Sequence, residues 1–239
     1  MLVKNWMREN VVTINVNDSV PDAVALIKKH QIRMLPVMDE DKLIGVVTDR
    51  DLKQVSASDV IPLEIHELAY KLTQIRIGEV MSKPPITVPF DYTVEEAAEV
   101  LLKHKISGVP VVDHEGQLVG TITQSDLFSV LMSVTGMGKR GLQYAMMQKR
   151  GIQFAFIVED RPGSIRELEE IIRKYKGRMT SILSSYDRVS DGYRKVYIRM
   201  FSIDRSKLPQ LKKELEGKAR LVYMVDHREN KREIYQEGS

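Results

Sequence analysis

The sequence predicts an α+β protein: a β-α-β-β-α unit that occurs twice, then a single β-α-β-β-α-β unit. Three observations lead there. The first half aligns with itself, Met7–Ile14 over Met81–Val88 and His30–Val37 over His104–Val111, both at an offset of 74 residues. Gly45–Leu52 then overlays Gly120–Leu127 at an offset of 75, with the extra residue in a hairpin turn that tolerates it. The charge also breaks near residue 132: residues 1–131 carry a net −6, residues 132–151 +4 and residues 152–226 +5. Such a shift accompanies a domain boundary. Within each half, strand and helix periodicities alternate in a fixed order.

Each copy has the same layout. A short extended segment (Val11–Val16; Ile86–Phe90) leads into a helix. Ser19-x-x-Asp22 and Thr93-x-x-Glu96 are capping boxes for those helices, with Pro21 in a first turn that accepts it. Val20, Ala23, Val24 and Ile27 mark one buried face, matched by Val94, Ala97, Ala98 and Leu101. Strands follow at Leu35–Met38 and Val109–Val112, then polar turns at Asp39–Lys42 and Asp113–Gly116. Antiparallel strands return at Leu43–Thr48 and Leu118–Thr123, and a closing helix starts at each Thr-x-x-Asp. Residues 1–58 are the first copy and 79–131 the second. Ile65, Leu68, Ala69 and Leu72, at helical spacing, predict a connecting helix within 59–78.

Residues 132–151 are Gly-rich and basic, which predicts a hinge. The domain at 152–226 opens with a strand, Ile152–Val158, and a tight turn at Asp160-Arg161-Pro162-Gly163. A helix at Ser164–Tyr175 follows, capped by Ser164-x-x-Glu167, with Ile165, Leu168, Ile172 and Tyr175 as its apolar stripe. Strands at Met179–Tyr186 and Lys195–Ser202 flank Ser190-Asp191-Gly192, a hairpin signal. A helix at Lys207–Leu215, stopped by Gly217, precedes a last strand at Ala219–Val225. This order is that of a ferredoxin-like plait. Residues 227–239 read as a polar, frayed tail.

Composition removes several function classes. The 239 residues contain no cysteine, which excludes disulfides, thiolate nucleophiles and Cys-ligated metals. No apolar run approaches the roughly 20 residues that span a bilayer, and Met1–Trp6 lacks the apolar core of a signal peptide. A cytoplasmic protein without membrane attachment is expected. The histidines (His30, His66, His104, His114, His227) form no His-x-x-x-His pair, and no phosphate-transfer loop is present. No catalytic residue and no metal site is predicted, which argues against an enzyme. Basic residues from 139 onward keep two alternatives in view, a nucleic-acid-binding regulator and a structural adaptor; with four such charges in residues 132–151 a solvated linker is the expected reading, and no nucleic-acid partner is expected.

The doubled Gly-x-x-Thr-x-x-Asp carries the chemistry. A strand running directly into a helix presents unpaired backbone N–H groups, where an anion can sit. The hydroxyls of Thr48 and Thr123 can bond a phosphate, and the carboxylates of Asp51 and Asp126 can accept from neighbouring ribose hydroxyls. The same spacing is also a capping box that merely closes the helix start. Both readings stand at this point.

Two copies of this unit, each with Leu/Val-Pro-Val-x-Asp and Gly-x-x-Thr-x-x-Asp, resemble a tandem pair of CBS domains over residues 1 to 131. The resemblance implies two clefts for adenine nucleotides (AMP, ADP, ATP) or related adenosyl ligands. Asp51 and Asp126 would hold ribose, and Thr48 and Thr123 would face phosphate. Thr13 and Ile14 with Met34, Leu35 and Pro36 would line one base pocket; Thr87 and Val88 with Gly108, Val109 and Pro110 would line the other. Arg8, Arg33, Arg50 and Lys83 are the candidate phosphate partners. Gly108 admits close approach where Met34 is bulkier, which favours a site built from Gly108 and Asp126. The β-α-β-β-α-β order with Asp-x-Pro-Gly at its first turn resembles an ACT domain. That likeness implies a small effector such as an amino acid at Asp160, Arg161, Pro162, Gly163 and Ser164. The combination, with Lys53-Gln54 and Ser56-x-Ser58 after Thr48–Asp51, is similar to acetoin-utilisation B-type proteins. It implies a homodimeric, non-catalytic ligand sensor in small-carbon or energy metabolism, read by a downstream protein.

Overall fold

The computed structural model describes residues 1–58, 72–135 and 151–235. The predicted connecting helix lies mostly outside the described residues, as do residues 136–150 of the predicted hinge and 236–239 of the tail. The chain divides into two compact units, Met1–Phe128 and Ser129–Ser239.

In the first unit, β1 (Ile14–Asn15), α1 (Val20–His30), β2 (Met34–Asp39), β3 (Lys42–Thr48) and α2 (Asp49–Ser58) form the first copy. After a short helix α3 (Ile77–Val80), the second copy repeats them as β4 (Val88–Pro89), α4 (Val94–His104), β5 (Gly108–Val112), β6 (Leu118–Thr123) and α5 (Gln124–Val134). Each copy has its own three-stranded sheet, β1-β2-β3 or β4-β5-β6, with the first pair parallel and the second antiparallel. The register shifts at Val37/Met38 and again at Val111/Val112, equivalent positions. The capping boxes predicted at Ser19 and Thr93 are formed, and α1 and α4 both end in a left-handed residue, Gln31 and Lys105. The extended segments pair over only two residues each, Ile14–Asn15 with β2 and Val88–Pro89 with β5.

The arms ahead of these segments are exchanged between copies. Val3, ahead of the first copy, is fully buried in the core of the second, with Val88, Ala97, Leu101, Val109, Val111 and Ile122. Ile77, its equivalent 74 residues on, is fully buried in the core of the first, with Ile14, Val20, Ala23, Leu35, Val37 and Val47. Burial of each side chain contributes about 1.5–3 kcal/mol. Arg8 exchanges backbone hydrogen bonds with Thr121 of β6 (2.9 and 3.0 Å), and Ser82 does so with Val46 of β3 (2.9 and 3.1 Å). Glycine opposite each arm gives it room: a methyl at Gly45 would lie 2.4 Å from Met81 Sδ, and one at Gly120 would lie 2.6 Å from Met7 Sδ.

The second unit contains β7 (Ile152–Glu159), α6 (Ser164–Lys174), β8 (Arg178–Ser185), β9 (Tyr193–Phe201), α7 (Leu208–Glu216), β10 (Arg220–Asp226) and β11 (Lys231–Ile234). Its sheet runs β11-β10-β7-β9-β8, with every neighbouring pair antiparallel. The central β7 buries Ile152, Phe154, Phe156 and Val158 against Leu168 and Ile172 of α6 and Leu211 and Leu215 of α7. A strand buried on both faces loses its alternation and reads as a continuous apolar run, as this one does.

Two local expectations are corrected. Ser164 does not cap α6; it is the first helical residue, and Gly163 precedes it in a left-handed conformation (φ 91°) that glycine adopts without penalty. Glu167 is drawn instead to Arg161, at 2.8 Å. The tail is not frayed over Lys231–Ile234, which pairs with Tyr223–Asp226. The turn between them is pinned by Asp226, 2% exposed, which accepts two 3.1 Å hydrogen bonds from the Arg205 guanidinium and one from the Arg228 N–H. Burial pushes the Asp226 carboxyl up, but these bonds outweigh it and hold it below its ordinary value.

Candidate functional site

A cavity of about 640 Å³ lies between the two copies of the first unit. One wall comes from the first copy: Arg33 and Met34 at the head of β2, and Thr48, Asp49, Arg50 and Asp51 at the β3–α2 junction. The other wall is the exchanged arm of the second copy (Ser82, Pro84, Pro85, Ile86) with the α4–β5 stretch from His104 through Gly108 to Pro110. The arm reaches this place because Ser82 is paired to Val46, two residues before Thr48. Asp49 donates its N–H to the Arg33 carbonyl at 3.1 Å, which ties the helix start to its own β2.

The Thr-x-x-Asp at this junction forms the capping box. Asp51 Oδ2 accepts from the Thr48 N–H (2.8 Å) and the Thr48 hydroxyl (2.6 Å). Among the described residues, no hydrogen bond is made to Oδ1 of Asp51. Capping and ligand binding are therefore compatible: one oxygen closes the helix, and the other has acceptor capacity left. Arg33, Arg50 and Lys105 supply positive charge around it, while Asp49 is paired with Lys53 at 3.1 Å. The arrangement suits a ligand with a flat apolar part, vicinal hydroxyls and an anionic end.

The grouping of predicted residues differs from the sequence expectation. Gly108 and Pro110 share the cavity with Thr48 and Asp51, not with Asp126, and the exchanged arm at Ser82 pairs with Val46 beside them. Thr123 and Asp126 are paired likewise elsewhere, with Oδ2 accepting from the Thr123 N–H at 2.9 Å and hydroxyl at 2.5 Å. There Arg8 Nε donates to Asp126 Oδ1 at 3.3 Å. Leu35, Ile14, Val88 and Val109 turn into the cores, at most 3% exposed, and Pro36 is likewise buried. Thr13 and Ile14 line a separate hollow with Glu9, Glu40 and Asp41. Thr87 is half-buried and Lys83 exposed, and neither lines the Asp51 cavity. Ser82, Pro84, Lys105 and Ser107 were missed by sequence reasoning; the repeat register carried no sign that the far copy contributes them.

In the second unit, Arg161 and Ser164 of the predicted effector turn line a cavity of about 890 Å³ with Glu159, Glu167, Arg188, Tyr193, Lys218 and Arg220. Hydrogen bonds from Arg161 to Glu167 and Glu159 hold its guanidinium above its ordinary pKa. Asp160 pairs with Arg194 at 3.4 Å, Pro162 is exposed, and Gly163 makes the turn. Among the described residues no group of three or more His, Asp or Glu side chains can hold a metal ion, and no helix is long and apolar enough to cross a membrane.

Comparison with known proteins covers the first unit. The model of the CBS domain matches residues 3–58 and 77–133. A CBS domain-containing protein of Dictyostelium discoideum is 33% identical over 135 residues, 56% of this chain and 93% of that protein. The solved CBS domain pair of protein MJ0100, in complex with 5-methylthioadenosine and S-adenosyl-L-methionine, is 31% identical over 55% of this chain and 99% of its own, with a TM-score of 0.47. CBSX2 of Arabidopsis thaliana in complex with AMP is 29% identical over 56% of this chain and 97% of its own, also with a TM-score of 0.47. On the repeat, the exchanged arms and the shared cleft, and with the Dictyostelium relative matched over nearly its full length, the chain belongs to the CBS-domain family.

Proposed function

We propose that the chain is a non-catalytic regulatory sensor that binds an adenine nucleotide or related adenosyl ligand in the cleft of Asp51. The observation that carries this is the single cavity joining Thr48, Asp51, Arg33 and Arg50 of one copy to Gly108 and Pro110 of the other. Asp51 Oδ1 would accept from the ribose hydroxyls, the arginines would face phosphate, and Gly108 would let the base approach the backbone. A ligand spanning both copies binds one relative arrangement of them better than another, and so shifts the population.

The second unit adds a finer reading. Its element order and the Asp160–Gly163 turn support an ACT-like domain that takes a small effector such as an amino acid, in a homodimer acting in small-carbon metabolism and read by a downstream protein. The cavity at Arg161 supports a carboxylate-bearing effector. A competing reading is a structural adaptor that binds nothing, in which the capping bonds at Thr48 and Asp51 are the sole role of that pair.

Calorimetric titration with AMP, ADP, ATP and S-adenosylmethionine, on the wild type and on Asp51→Ala, tests the sensor. Binding of one ligand that Asp51→Ala abolishes is the expected result. A folded protein that binds none of the four at millimolar concentration is an adaptor.

A further inference from the structure

The two Thr-x-x-Asp junctions are equivalent in sequence and unequal in structure. Each exchanged arm passes over the junction of the other copy, pinned two residues before the threonine: Arg8 on Thr121, and Ser82 on Val46. Arg8 and Ser82 are equivalent positions, 74 residues apart. At the first junction the arm presents the short hydroxyl of Ser82. At the second it presents the guanidinium of Arg8, whose Nε lies 3.3 Å from Asp126 Oδ1. Asp126 Oδ2 is already engaged by Thr123, so both oxygens of Asp126 are occupied. The Asp126 side chain is 12% exposed and that of Arg8 is 58% exposed. A carboxylate that deep gives up a charged partner reluctantly, whereas the exposed guanidinium can swing into solvent.

We propose that Arg8 is an internal competitor that occupies Asp126 in place of a ligand, so that the pair binds one adenosyl ligand, at Asp51. The inference rests on the nucleotide reading of the Asp51 cleft. It makes residue 8 the position that sets stoichiometry. An arginine there takes up Asp126 Oδ1; a serine, as at residue 82, leaves that oxygen to a ligand. The latch is reversible, because its guanidinium end is exposed to solvent and salt, which weaken the pair.

The test is calorimetric titration with AMP on the full chain and on R8S, R8K, D51A, D51A/R8S and D51A/R8S/D126A. R8S reproduces the other arm and keeps the backbone pairing to Thr121, and circular dichroism checks its fold. The wild type is expected to bind one AMP, removed by D51A. R8S is expected to bind two, with affinity at Asp126 raised at least tenfold. D51A/R8S keeps one site, D51A/R8S/D126A has none, and R8K, which retains the cation, stays at one. Two equivalent sites in the wild type would overturn the proposal, as would R8S that gains no site or loses affinity. A wild type that binds no AMP while R8S binds one at Asp126 would refute the Asp51 reading and uphold the latch. Absence of binding in every variant overturns both.

Discussion

Gly45→Ala probes the exchange of arms directly. A methyl at this position lies 2.4 Å from Met81 Sδ, 3.0 Å from Met81 Cγ and 3.1 Å from the Ser82 carbonyl oxygen. Unstrained contacts between carbon atoms fall near 3.5–4.0 Å, so something must move by about 1 Å. The Met81 side chain can rotate, but the Ser82 backbone is held by its two hydrogen bonds to Val46. Overpacking of this kind is destabilising by about 1–3 kcal/mol, and roughly 2 is expected here. For a unit of this size that lowers Tm by about 6 °C. Met81→Ala alone removes a partly buried side chain, at about 1–2 kcal/mol. In the double variant the sulfur clash is gone, so the two changes together cost about 1–2 kcal/mol less than their sum. Trp6 is the only tryptophan and lies on the other arm of the same unit, so urea unfolding followed by its fluorescence reads this unit. A Gly45→Ala protein within 0.5 kcal/mol of wild type, or strict additivity with Met81→Ala, would refute the close approach of arm and hairpin.

Asp51→Ala should act twice: loss of the cap lowers stability by about 1 kcal/mol, and loss of the charged acceptor weakens AMP binding by at least about a hundredfold; unchanged affinity with lowered stability would leave capping as the residue's sole role. Arg205→Ala strands the buried Asp226 carboxylate and should cost about 3 kcal/mol, read by urea unfolding with circular dichroism; a loss under 1 kcal/mol would mean that the β10–β11 turn does not depend on the pair. Glu233 is held at about 2 by hydrogen bonds from Lys212, Lys231 and Tyr235, below its ordinary 4.5. Its contribution is therefore complete above pH 4.5 and is lost as pH falls towards 2. With the side chain about a quarter exposed, roughly 2 kcal/mol of acid sensitivity should disappear in Glu233→Gln. An unaltered pH profile of unfolding between pH 5 and 2.5 would count against that linkage.

Much of the architecture was legible in the chain, and for local reasons. Capping at Ser19 and Thr93, the apolar faces of α1 and α4, and the hairpins of both copies depend on residues three or four apart or on strict alternation. The repeat itself is a property of sequence order alone. At Gly163, by contrast, two local signals competed: Ser164-x-x-Glu167 has the spacing of a cap, yet Arg161 captured Glu167 and the helix began one residue earlier than a Ser164 cap implies. The strand at Lys231–Ile234 was hidden because its side chains are polar and only its pairing with β10, anchored by Arg205 on Asp226, makes it a strand.

By itself the sequence determined the duplicated unit, the two Thr-x-x-Asp junctions and the order of elements in both halves. Tertiary structure alone determined which halves of each cleft meet. Gly108 joins Asp51 because Ser82 crosses to β3, and Asp126 meets Arg8 because the first arm crosses to β6. Contacts between residues 36 and 118 positions apart leave no period and no motif. They follow from where two buried side chains, Val3 and Ile77, find apolar cores to fill.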